Sequence, residues 1–251
     1  MRILAIGDIV GDRAVAYLEE HLDRVRREQK IDFIIANAEN AAEVRGLNAR
    51  QAERLFLAGV DAITLGNHAF GQRDLYPVLE SDRRIVRPAN FPPQTPGMGY
   101  TILPSPAGRL LVMNVCGRAF MEAYADPFVT VENILRREAG NYDLSVLDVH
   151  AEATSEKLAL ARRFDGRINV VFGTHTHVPT ADEQILPKGT AYQTDIGMSG
   201  PTDGVLGVAT EAVLERFTSL MPTRFTTAQG PISVNATIFS TTNAIPVRIV
   251  F

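Results

Sequence analysis

At 251 residues, with 45% hydrophobic and 22% charged side chains, the sequence suits one α/β domain spanning 1–251 with a substantial core. Its formal charge of −4, from 25 basic and 29 acidic residues, excludes a generally basic surface of the kind that binds nucleic acid or anionic membranes. A single cysteine, Cys116, rules out an internal disulfide. No apolar run approaches the ~18 residues of a membrane span, so a cytoplasmic protein is expected.

In chain order, Arg2 to Gly7 is a continuous apolar run of the type buried on both faces of a parallel sheet. It ends at Asp8. Beyond Gly11 the spacing of Val15, Leu18, Leu22 and Val25 predicts a helix, with Asp12 as its N-cap. Residues 31–38 form a second predicted strand, ending at Glu39 and Asn40. Asn48 is placed to cap a helix bearing Ala52, Leu55 and Phe56, which stops at Gly59. A third strand, 61–65, runs into Gly66-Asn67-His68. A helix over 74–80, a short strand over 85–90 and a Pro-rich loop over 91–99 follow.

Residues 100–103 and 110–115 read as a hairpin, and Cys116 at its end reads as a buried structural thiol, with no neighbour to lower its pKa. Asp126-Pro127 starts a helix whose inward face is Val131, Ile134 and Leu135. Residues 144–149 form a strand ended by His150, and Thr154 opens another helix. The strand 168–173 leads into Thr174-His175-Thr176-His177. After 181 come short strands, one helix over 210–219, and a terminal β pair at 232–239 and 246–251. Strand and helix alternate early and strands dominate late, which predicts two sheets flanked by helices.

Polar residues collect at the ends of these strands: Asp8, Glu39, Asn40, Asn67, His68, His150, His175 and His177. In open α/β sheets that is where ligands bind. Four of the five histidines are in this set; the fifth, His21, is mid-helix and reads as packed or solvated. Imidazole, carboxylate and amide donors together point to iron, manganese, zinc or cobalt and away from calcium. A catalytic zinc site takes about three protein ligands. So large a set implies two ions, roughly 3.5–4 Å apart, sharing a bridging carboxylate and a hydroxide. Gly173 is expected to turn the chain just before His175 and His177, which at two apart in an extended segment can face one side. Two divalent ions with a hydroxide bring the centre to roughly +1, attractive to a phosphodiester.

Gly7-Asp8, Gly66-Asn67-His68, His150 and Gly173-Thr174-His175-Thr176-His177 resemble the signature of the calcineurin-like metallophosphoesterases. Asn37-Ala38-Glu39-Asn40, His150-Ala151-Glu152-Ala153-Thr154 and Thr194-Asp195-Ile196-Gly197-Met198 resemble the YmdB-like branch, over nearly the whole chain. Two departures from the wider superfamily fit that branch. Asp8-Ile9-Val10 stands where Asp-x-His is usual, and Glu39 replaces the usual bridging Asp.

The resemblance implies a two-sheet α/β/β/α sandwich. It implies one metal held by Asp8, Asn40 and His177, a second by Asn67, His150 and His175, and Glu39 bridging. His68 would stay off the metals and act as general acid on the departing alkoxide. The implied cofactors are two divalent or mixed-valence transition-metal ions, iron first and manganese or zinc after it. The implied activity is hydrolysis of 2′,3′- or 3′,5′-cyclic nucleotides by the bridging hydroxide.

Asp148, Glu152 and Asp195 are candidates to orient ligand histidines. Arg118 is open to two readings, surface residue or phosphate contact. A phosphomonoesterase on the same site and a regulatory metal-binding protein are the alternatives. A dinucleotide-binding turn at Gly7-Asp8-Ile9-Val10-Gly11 lacks the full glycine pattern and would set Asp8 against a pyrophosphate. The expected partner is a small phosphodiester, with a homo-oligomer left open.

Overall fold

The computed structural model describes residues 1–43, 45–242 and 244–251. The first half of the chain holds β1 (Arg2–Ile6), β2 (Asp8–Ile9), α1 (Asp12–Glu28), β3 (Phe33–Asn37), α2 (Ala49–Leu57), β4 (Ala62–Thr64), α3 (Tyr76–Ser81), β5 (Ile85–Val86), β6 (Tyr100–Ser105) and β7 (Gly108–Cys116). Then come α4 (Pro127–Arg137), β8 (Leu144–His150), α5 (Thr154–Arg163), β9 (Val170–Thr174), β10 (Gln184–Ile185) and β11 (Ala191–Gln193). The last part contains β12 (Met198–Pro201), β13 (Gly204–Val205), β14 (Val208–Ala209), α6 (Thr210–Ser219), β15 (Ile232–Ser240) and β16 (Val247–Val250).

Continuous apolar strands make the layers. Successive strand residues face opposite sides of a sheet, so in β1 Ile3 and Ala5 enter one core while Leu4 and Ile6 enter another. Phe33 and Ile35 of β3 alternate with Ile34 and Ala36 in the same way. Leu4, Ile6, Ile34 and Ala36 pack beneath α1 and α2, against Val15, Leu18, Leu22 and Leu55. Ile3, Ala5, Phe33 and Ile35 instead meet Leu110, Val112, Val146 and Phe172 of the second sheet. That sheet's other face, with Leu111, Met113 and Leu147, is covered by Val131, Ile134 and Leu135 of α4 and Leu160 of α5. The result is the expected α/β/β/α sandwich.

The first sheet runs β2-β12-β15-β1-β3-β4-β5, with β16 added on β15; the second runs β10-β11-β9-β8-β7-β6. β1, β3, β4 and β5 are mutually parallel, as are β7, β8, β9 and β11. Their carboxyl ends therefore gather along one edge of each sheet, where Asp8, Glu39, Gly66, His150 and His175 follow. Among the described residues no helix is long and apolar enough to cross a membrane.

Three local expectations are corrected. Asp12 is the first residue of α1, not its cap: Gly11, at φ 82°, occupies that place, and Asp12 instead accepts from Arg54 and Gln51. The strand over 85–90 shortens to Ile85–Val86, because Pro88 has no N–H with which to continue a ladder. The helix over 74–80 begins as a 3₁₀ turn, Arg73–Leu75, before α3. The predicted caps at Asn48, with a complete capping box, and at Asp126 are both present.

Candidate metal centre

The site residues lie at or just past the carboxyl ends of parallel strands, and the two sheets bring these ends face to face. β2 supplies Asp8, the turn after β3 supplies Glu39 and Asn40, and the turn after β4 supplies Asn67 and His68. From the second sheet come His150, at the end of β8, and His175 and His177, after β9. Asp8, Glu39, Asn40 and His150 are buried, while His68, at 28% side-chain exposure, stands nearest solvent.

The donors converge on His150. Its Nε2 lies 3.1 Å from Glu39 Oε1, 3.0 Å from Asn67 Oδ1 and 3.1 Å from His175 Nδ1. Glu39, His150 and His175 each offer an atom within 4.8 Å of the others. A second group forms around Asp8, whose Oδ1 is 3.9 Å from His177 Nε2. Asn40 joins the groups: its Nδ2 is 3.1 Å from Glu39 Oε1 and 3.3 Å from His177 Nε2. Its Oδ1 is 2.8 Å from His68 Nδ1, so in this orientation the amide oxygen faces His68.

This donor set fits transition metals. Asp8 Oδ1 is buried with no hydrogen-bond partner among the described residues, a costly state for a carboxylate oxygen unless a cation meets it. Each of the three candidate ligand histidines also has one ring nitrogen engaged by a neighbour. His150 Nδ1 lies 2.9 Å from Thr174 Oγ1, His175 Nε2 3.2 Å from Glu152 Oε2, and His177 Nδ1 3.0 Å from the Leu206 carbonyl. Such partners fix ring orientation and tautomer. They leave Nε2 of His150, Nδ1 of His175 and Nε2 of His177 turned inward.

Gly173 serves a purpose different from the turn expected of it, and Gly66 shares that purpose. Neither Gly66 nor Gly173 has a positive φ. A Cβ on Gly66 would overlap Glu39 Oε2 and His150 Nε2, and one on Gly173 would overlap the Thr194 carbonyl. Both are glycine because a ligand or a neighbouring backbone needs the space. The sharp conformations fall on the histidines themselves. His175 has φ 96° and His177 φ 64°, so they are not in an extended segment. Such backbone persists only where surroundings over-determine it. Here Asp195 Oδ2 accepts from Thr176 N at 3.3 Å, Thr176 Oγ1 at 2.8 Å and the buried Lys157 Nζ at 2.6 Å.

Electrostatics within the chain follow from burial and proximity. Burial works against a charged His150, yet the charge and hydrogen bond of Glu39, then the charges of Asp8 and Asp148, override it and push its pKa up to about 9. Burial raises Asp8 to about 6, against the pull of His177 and His150. Burial would also raise Glu39, but His150 and His68 hold it well below the usual carboxylate range. His175 falls to about 3 through burial and the neighbouring charge of His150.

All eight predicted residues, His68 included, are thus brought together. Glu152 touches His175 directly, Asp148 reaches His150 through Thr174, and Asp195 holds Thr176, between His175 and His177, and not a histidine itself. Arg118 is off the site, paired with Asp126 at 3.3 Å. His21 is stacked on Tyr17, and Cys116 is buried, its thiol pushed well up by that burial. Thr174, Lys157, Leu206 and Phe225 were not singled out by sequence. Thr174 carried the one usable signal, being inside the histidine motif.

A family model described as YmdB-like protein matches residues 4–247. A Bacillus subtilis (strain 168) protein, named 2′,3′-cyclic-nucleotide 2′-phosphodiesterase, is 43% identical over 238 residues, covering 95% of this chain and 90% of that one. A crystal structure of a hypothetical protein from Thermus thermophilus superposes with TM-score 0.94 at 42% identity, covering 100% of this chain and 99% of the other. A novel phosphatase structure from Mycoplasma pneumoniae gives TM-score 0.91 at 30% identity, covering 100% and 93%. The sandwich is the calcineurin-like metallophosphoesterase fold. With its two sheets, its converging donors and these likenesses, the chain belongs to the YmdB-like family.

Proposed function

We propose that the chain is a metal-dependent phosphoric diester hydrolase acting on small cyclic nucleotides, the 2′,3′-cyclic class first and the 3′,5′-cyclic class as a second panel. The observation that carries this is the inward turn of three histidine nitrogens beside the orphaned Asp8 Oδ1, next to a cavity lined by His175, His177 and His68. The name of the Bacillus subtilis relative supports the diester class.

Asp8, Asn40 and His177 would hold one ion, Asn67, His150 and His175 another, and Glu39 both, with iron the first candidate and manganese or zinc next. Such ions supply Lewis-acid polarisation of the phosphoryl group and acidify water near neutral pH. The chain's own part is positioning and proton transfer. A ligating Asn40 Oδ1 would use one lone pair for the ion and the other for the Nδ1–H of His68, 2.8 Å away, so that an imidazolium His68 carries its second proton on Nε2. No described residue hydrogen-bonds that nitrogen, and His68 lines the open cavity. His68 Nε2 then gives that proton to the departing alkoxide, a poor leaving group without one, and the ring ends as neutral imidazole.

The test is turnover of a 2′,3′-cyclic nucleotide, a 3′,5′-cyclic nucleotide and a phosphomonoester by protein loaded anaerobically with Fe²⁺, Mn²⁺ or Zn²⁺. Preference for a cyclic diester supports the reading. Clear preference for the monoester replaces it with a phosphatase, and no turnover with any metal leaves a binding protein.

A further inference from the structure

The cavity before the metal centre has two unlike walls. One carries Glu39, Asn40, His175 and His177 with His68, and the other is apolar, built from Val10, Leu206, Val208 and Phe225. The cavity holds about 270 Å³, at the small end of ligand sites, which limits an occupant to about the size of one mononucleotide.

The apolar wall is held in register with the chemistry. Leu206 and Gly207 form the two-residue turn between β13 and β14, with φ 53° and 86°. Positive φ at both positions is what a tight right-twisted hairpin requires. A Cβ on Gly207 would press on Val10 Cγ1 at 2.8 Å and Met198 Sδ at 3.0 Å. The Leu206 carbonyl is the acceptor for His177 Nδ1, so the turn that forms the wall also orients a metal ligand. Residues 226–228 zip onto the same hairpin, through Ala209 N to Thr226 O at 3.0 Å and Ala228 N to Gly207 O at 2.8 Å. That pairing sets Phe225 at the cavity.

Neither side chain is needed for a core. Leu206 is 49% and Phe225 37% exposed, and neither belongs to a buried cluster. Folding gives no reason for an aromatic ring beside a polar centre, whereas a flat ligand does. The apolar wall itself offers a ring face and aliphatic contacts, while Arg45, exposed and also lining the cavity, is a mobile-stemmed cation that suits the phosphate common to all nucleotides. Thr227, also lining the cavity, has its hydroxyl turned to the Glu43 carbonyl at 3.4 Å. Stacking of this kind reads the flatness of a base and not its identity.

We infer that Phe225, backed by Leu206 and Val208, is the surface on which the nucleobase stacks. The site therefore selects nucleoside phosphodiesters over base-free ones, with little discrimination among bases. This rests on the phosphodiesterase reading above.

The test compares four nucleoside 2′,3′-cyclic phosphates with ribose 2′,3′-cyclic phosphate on metal-loaded protein. The wild type is expected to prefer all four nucleotides over the ribose ester, with kcat/KM differing by no more than roughly fivefold among them. Phe225→Ala lowers the nucleotide-over-ribose preference by roughly tenfold, through KM, and Phe225→Tyr restores it. An unchanged preference in Phe225→Ala, or a discrimination of roughly a hundredfold among bases in the wild type, overturns the inference. If no ester is turned over, the functional reading has failed, and saturation-transfer NMR with a nucleoside 3′-monophosphate decides the wall separately. Transfer to the base protons that disappears in Phe225→Ala supports it, and absence of transfer in the wild type overturns it.

Discussion

The hydroxyl of Thr174 stands 2.9 Å from Nδ1 of His150 and gives its own proton to Asp148 Oδ1 at 2.7 Å. It can therefore meet His150 only as an acceptor, which puts a proton on Nδ1 and directs Nε2 to the ligand cluster. Asp148, fully buried, is held in turn by Thr64 Oγ1 at 2.5 Å and Asn37 Nδ2 at 3.1 Å. The chain Asp148–Thr174–His150 does what a directly bonded carboxylate does in many metal sites.

Thr174→Val keeps the volume and removes the relay. Metal affinity, read by competition with a chelator, is expected to fall about 10–100-fold, with Thr174→Ser near wild type. Wild-type affinity in Thr174→Val would show that the relay does not orient His150.

Lys157 makes a separate prediction, about stability. Its ammonium is fully buried against Asp195, whose carboxylate also ties down Thr176 between the two strained histidines. Lys157→Met leaves that carboxylate buried without its counter-charge, a loss of about 3–5 kcal/mol in urea unfolding. The double variant Lys157→Met, Asp195→Asn removes both charges and is expected to recover most of it. A single-variant loss below about 1 kcal/mol, typical of an exposed pair, would rule out this role.

The candidate ligands were legible because they sit at or just past strand ends within short local motifs, and strand ends at one sheet edge are a predictable meeting place. What closes the site was not. Lys157 sits on a helix beside Leu158 and Leu160, and its counter-charge is 38 residues away, so nothing local separates it from a solvated lysine. The reason for Gly66 lies on β8, and that for Gly173 in Thr194; both are contacts between segments that no periodicity reveals. The turn at Leu206-Gly207 lacks the Asn-Gly or Asp-Gly signal of a tight hairpin, which hid the wall it builds.

Metal uptake has a proton count that follows from the charges. Glu39 and Asp8 keep His150 an imidazolium up to about pH 9, whereas a metal binds the neutral ring. His175, lowered to about 3, is already neutral, and Asp8, at about 6, is already ionised at pH 7.5. Calorimetric titration of metal into chelator-stripped protein at pH 7.5, in buffers of different ionisation heat, should therefore show release of at least about one proton, from His150, with any from metal-bound water added to it. The release should shrink as pH approaches 9 and grow below 6 as Asp8 becomes protonated. No release at pH 7.5 would contradict this charge arrangement.

His68 gives the sharpest test of the chemistry. Its backbone N–H donates to Glu39 Oε2 at 2.9 Å and its Nδ1 meets Asn40, so the ring is fixed at the edge of the ligand cluster while its other nitrogen is left to the cavity. A group so placed matters in proportion to how badly the leaving group needs a proton. His68→Ala should lower kcat for a cyclic nucleotide, whose leaving group is an alkoxide, by about 10²–10⁴. For a p-nitrophenyl phosphodiester, whose leaving group departs readily as the anion, the loss should be far smaller. Metal content, measured by elemental analysis, should be that of the wild type, since His68 is outside the proposed ligand set. Equal losses on the two substrates would mean that His68 holds Asn40 or substrate in place and does not transfer the proton, and loss of metal would place it among the ligands.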